Sequence, residues 1–106
     1  MYALFVNLLD SDKLDEFLTL LLELGIDDAL VISGTSMSAI IEKDIPLFAG
    51  LLSAFPHTHP TGELILAESP DRETVERLIK LAPDIDVDFR SPESAKLIVI
   101  KTEDFL

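Results

Sequence analysis

The sequence predicts an α+β fold whose main elements run βαββαβ, and three observations carry that prediction. Short apolar blocks recur along all 106 residues, two of the segments between them carry apolar residues at helical spacing, and capping or turn residues separate one block from the next. Hydrophobic residues make up 48% of the chain, enough to fill one core but not two, so residues 1–106 are read as one domain.

The first block, YALFVNLL over residues 2–9, is apolar on both alternating sets. Tyr2, Leu4, Val6 and Leu8 share one side, and Ala3, Phe5 and Leu9 share the other with Asn7, which predicts a strand buried on both faces. Asp10-Ser-Asp12 then offers several N-caps. Leu14, Phe17, Leu18, Leu21 and Leu22 recur as on a helix of about four turns, which ends at Gly25, a residue suited to the left-handed position after a helix. Ala29-Leu-Val-Ile-Ser33 reads as a short strand ending at Gly34. Beyond it, Pro46 is placed to open a short helix over residues 45–55, with Ile45, Phe48, Leu52 and Phe55 on one face.

Residues 55–62 form a proline-bracketed loop, and Leu64-Ile-Leu-Ala67 is the third strand. Ser69-Pro-Asp71 predicts a second main helix capped by the serine, and its stripe of Val75, Leu78, Ile79 and Ala82 runs to Pro83. Residues 83–95 are irregular, and Lys96 to Lys101 is the last strand. This order is the split arrangement of ferredoxin-like domains: a four-stranded antiparallel sheet, two helices on one face, and a short extra helix between strands 2 and 3. The second face of such a sheet needs cover, either from other chains or from the 45–55 helix folded over its own sheet.

Charge narrows the partners. Twenty acidic residues against 8 basic ones give a net charge of -12, a field that repels polyanions and argues against nucleic acid; the same charge also keeps an apolar domain in solution. No apolar block approaches the length of a membrane span. With no basic run before the first block and no cysteine, the sequence predicts a cytoplasmic protein without a secretion signal.

Two short motifs invite chemistry. Ser33-Gly-Thr-Ser-Met-Ser-Ala-Ile40 contains the Gly-Thr-Ser-Met run found around the nucleophile of subtilisin-like proteases. Those enzymes place their aspartate and histidine before the serine, whereas His57 and His59 both follow Ser36 here, so a non-enzymatic protein is predicted. In an extended segment His57 and His59 point to one side, as chelation requires, and Glu63 or a neighbouring subunit is the candidate third ligand; otherwise the pair is simply solvated. Asp84, Asp86 and Asp88 would line one face of an extended segment and charge a sheet edge. Neither of the common glycine-rich phosphate loops is written in the chain. A local anion site at residues 34–38, with charge from Lys96, Lys101 or Arg90, stays open.

From Gly34 to Pro56 the chain runs small residues, an acidic turn, Ile-Pro-Leu-Phe-Ala-Gly-Leu51 and a proline. In that order, and in its βαββαβ frame, it resembles a divergent branch of the PII-like proteins, relatives of the nitrogen regulatory protein PII. The resemblance implies a homotrimer involved in signalling, which senses a small effector in clefts between subunits or binds a target protein. The ligand-binding candidates are Gly34, Thr35, Ser36, Met37, Ser38, Glu63 and Lys96, with Lys96 similar in place to a phosphate-contacting lysine of the family. The chain departs from the family pattern in three ways. The long loop after the second strand is replaced by the segment carrying residues 45–55, the glycine turn before the last strand by Arg90-Ser-Pro-Glu-Ser-Ala95, and the basic C-terminal residues by Glu103-Asp-Phe-Leu106. No cofactor is specified. Two alternatives accompany this reading: a divalent-metal-binding trimer similar to the copper-tolerance proteins, using His57 and His59, and a structural interaction module that docks the 45–55 helix on a larger partner.

Overall fold

The computed structural model describes residues 1–44 and 61–103. The helix predicted at 45–55 and both histidines, His57 and His59, lie outside the described residues. Strands β1 (Tyr2–Leu8), β2 (Leu30–Thr35), β3 (Thr61–Ser69) and β4 (Ala95–Lys101) are joined in sequence by helices α1 (Leu14–Glu23), α2 (Met37–Asp44) and α3 (Arg72–Leu81). They form one sheet in the order β2-β3-β1-β4, with every neighbouring pair antiparallel. Each main helix therefore links two strands with a third lying between them, which is the ferredoxin-like arrangement.

The core lies on one face of this sheet. Leu4, Val6, Leu8, Ile65 and Ala67 are buried under Phe17, Leu20 and Leu21 of α1 and Val75 and Leu78 of α3. Phe17 also meets Phe89 edge to face, with centroids 6.2 Å apart, an arrangement that adds to the burial of both rings. The prediction that β1 is buried on both faces is corrected. Leu4, Val6 and Leu8 are buried, but Ala3 and Phe5 are only half-buried and Asn7 is exposed, because both helices pack on the same side.

Local chemistry explains the helix ends. Asp10 Oδ1 accepts the Asp12 N–H at 3.0 Å and opens a 3₁₀ turn that leads into α1. Gly25 has a φ of +84°, with its N–H donating to Leu22 O at 3.0 Å and the next N–H, of Ile26, reaching Leu21 O at 2.8 Å. This is a Schellman closure, and it carries Ile26 into the core.

The cap of α3 falls two residues later than predicted. Ser69 ends β3 and is buried, its Oγ donating to Asp71 O at 2.8 Å, while Asp71 Oδ1 caps the helix by accepting the Thr74 N–H at 2.8 Å. The Thr74 hydroxyl and then its amide hold the Asp71 carboxyl below its ordinary value. After α3, Ala82–Ile85 make a 3₁₀ turn and Asp86 is left-handed at φ 61°. The alternating aspartates Asp84, Asp86 and Asp88 therefore line no common extended face. Asp86 instead pairs with Lys13 at 3.6 Å.

The sequence predicts no helix over residues 37–44, where α2 forms. The small hydroxyl residues hide a cap: Ser36 Oγ accepts the Ala39 N–H at 3.2 Å, and Ser36 O accepts the Ile40 N–H at 3.1 Å. Gly34 and Thr35 meanwhile continue β2, so strand passes to helix across a single residue.

Candidate functional site

The register defines the second face of the sheet. Phe5 lies between Leu66 and Ile98, Asn7 between Leu64 and Lys96, and Ile32 and Gly34 sit opposite Leu64 and Gly62. Directly paired residues share a face, so these side chains form one surface with Leu30 and Ile100, on the side away from the core. None of them is buried. Ile98 and Leu30 each keep 59% of their surface exposed.

At one end of this face lies a trough of about 490 Å³. Its floor is apolar, made by Phe5, Ile32, Leu64 and Ile98, and it spans the sheet from Ser36 beside β2 to Lys96 on β4. Two glycines deepen it. Gly34 and Gly62 are register partners on neighbouring strands, so no side chains rise from the sheet between them. A Cβ on Gly34 would meet no atom within 4 Å, whereas one on Gly62 would come within 3.3 Å of Leu8 O and 3.4 Å of Asn7 Oδ1. Gly34 therefore leaves space free, and Gly62 permits close approach by β1.

The structure brings together Gly34, Thr35, Ser36 and Lys96 in the lining of this trough. Met37 lies outside the lining, with 76% of its surface exposed. Ser38 is likewise outside it, with its Oγ 3.2 Å from Ser36 Oγ beside the helix cap. Glu63 is on the other face. It stands in the row Leu8–Glu63–Ser33, is 9% exposed, and accepts a 2.7 Å hydrogen bond from Ser33 Oγ through Oε2. The cause is the strand period of two: Gly62 and Leu64 face the trough, so the residue between them cannot. The seven predicted residues therefore form no single cleft within this chain.

Sequence reasoning missed Asn7, Gly62 and Ile98. The second apolar set of β1 and the glycine opening β3 were visible, but their meeting depends on register, which a sequence does not print.

The electrostatics of the face are uneven. Among the described residues the trough lining contains no carboxylate, although the chain has 20 acidic residues. Lys96 takes part in neither of the two ion pairs found among the described residues. The opposite end has a second hollow of about 470 Å³, where Asp27, Asp28 and Glu68 stand around Leu30 and Leu66. Among the described residues, no group of three or more metal-ligating side chains is placed to hold an ion, and no helix is long and apolar enough to cross a membrane. Compared with known proteins, the chain matches no family model and no curated sequence.

Proposed function

We propose that this chain is a non-enzymatic regulatory domain of the PII-like kind, a cytoplasmic homotrimer that senses a small effector at the margins between subunits or passes a signal to a target protein. The observation that carries the proposal is the exposed apolar face that the sheet presents among the described residues. Phe5, Leu64, Leu66, Ile98, Ile100, Leu30 and Ile32 form a contiguous apolar surface with no buried member. A soluble chain rarely leaves such a face to water, and copies of itself are the partner always present at matching concentration. Leu30, Leu66 and Ile100 lie outside the trough, so in this arrangement the contact runs along their end of the face and the trough opens beside it.

The role of Ser36 agrees with the non-enzymatic half of the proposal, since its hydroxyl is engaged at the start of α2. Titration of the purified protein with nucleotides, 2-oxoglutarate and divalent cations, read by thermal shift and by mass in solution, tests the reading. A shift with one class at three chain masses supports it, and a single-chain mass refutes the trimer. Silence across the panel in a trimer refutes sensing of these effectors and leaves the target-protein role.

A further inference from the structure

We propose that the trough binds an aliphatic monocarboxylate, with its carboxylate on Lys96 Nζ and its tail lying across β1 and β3 toward the Gly34–Gly62 pair. The inference rests on the effector-binding half of the reading above and supplies the ligand's chemical class. Charge complementarity selects the head group. In a chain of net charge -12, the described residues of this lining include one cation, Lys96, and no acid. One cation matches one negative charge; a polyphosphate would hold its remaining charges over Phe5, Leu64 and Ile98 without partners.

The floor selects the tail. Lys96 is on β4 and Gly34 on β2, at opposite edges of the sheet. Three strand spacings separate them, about 14 Å, so a ligand that uses both ends is elongated. Asn7 stands on that path at β1 and Leu64 at β3, with Ile98, Ile32 and Leu9 flanking it, and the glycine pair lowers the floor where the tail ends. Polar groups along the way are few, chiefly Asn7 and the hydroxyls of Thr35 and Ser36, so most of the affinity comes from burying methylenes.

Calorimetric titration with hexanoate, octanoate and decanoate, alongside decanol as the uncharged control, tests the proposal. Affinity is expected to rise roughly fourfold for each added methylene that the trough covers, with decanoate preferred over decanol. Lys96→Gln should weaken decanoate two- to fivefold, the range for a partly exposed ion pair, and leave decanol unchanged. Gly34→Leu fills the trough and should cost at least about tenfold for both decanoate and decanol; far-UV circular dichroism checks that the variant folds. Absence of decanoate binding, or binding indifferent to Lys96→Gln, would overturn the proposal, and Lys96→Gln decides the matter even if Gly34→Leu fails to fold. Mass measured on the same samples separates this inference from the trimer. A monomer showing this ligand pattern supports the trough and refutes the assembly, and a trimer that ignores decanoate does the reverse.

Discussion

The two faces of the sheet are built from nearly the same residue types and have opposite fates. On one, Leu4, Val6, Leu8 and Ile65 are almost wholly buried beneath α1 and α3; on the other, Ile98, Ile100, Leu30 and Ile32 keep between 44% and 59% of their surface exposed. Alternation along a strand assigns a residue to a face, but the connections between strands decide which face is packed. Here both β-α-β connections deliver their helices to one side, so equal hydrophobicity yields a core on that side and an exposed apolar surface on the other.

The largest expected contrast comes from cutting one large residue on each face. Leu8→Ala removes a fully buried side chain and should cost about 2–5 kcal/mol. Ile98→Ala should cost under about 1 kcal/mol in the dissociated chain, because little packing is lost where most of the surface is exposed. Urea unfolding at low protein concentration checks both. At higher concentration the Ile98 penalty should grow, since stability then includes association; equal penalties at low concentration would erase the distinction between the faces.

Smaller effects concern the ends of the helices that make the packed face. Gly25→Ala forces a Cβ into the left-handed region at φ +84° and should lower stability by about 1–2 kcal/mol, read from the same urea curves. Asp71→Ala removes the α3 cap and should lower the melting temperature. The sign with pH follows from the direction of the Asp71 shift. Its folded-state pKa lies below the unfolded value, so the cap's contribution is complete above the unfolded value and disappears as pH falls through the folded one. Melting curves of wild type and Asp71→Asn should therefore converge in acid. The smallest effect belongs to the open face: Gly34→Val has room for its side chain and should raise stability by roughly 0.5 kcal/mol in thermal melts.

Much of this fold was legible in the sequence, for reasons particular residues make plain. The stripe from Leu14 to Leu22, the closing Gly25 and the stripe of Val75, Leu78, Ile79 and Ala82 each agree in spacing and terminus with the helices observed. Differences arise where several local preferences compete. Ser69, the predicted cap, is claimed by the longer β3, and Asp71 caps α3 in its place. Gly34 to Ser38 combined strand breakers with a capping serine, and the cap prevailed beyond Ser36. Asp86 adopts a left-handed conformation more accessible to aspartate than to most residues, and this broke the alternation predicted around it. The candidate site was less legible because Lys96, Asn7, Gly62 and Gly34 meet through three strand pairings. Glu63, an expected member of the site, is excluded from it by the pleat.

The most direct measurement is the mass of the protein in solution by light scattering across a concentration series, with Ile98→Glu beside the wild type. Three chain masses are predicted for the wild type, falling to one when a charge is set on the open face while circular dichroism remains native. A wild-type protein that stays at one chain mass at the highest concentrations would contradict the claim that like chains cover this face.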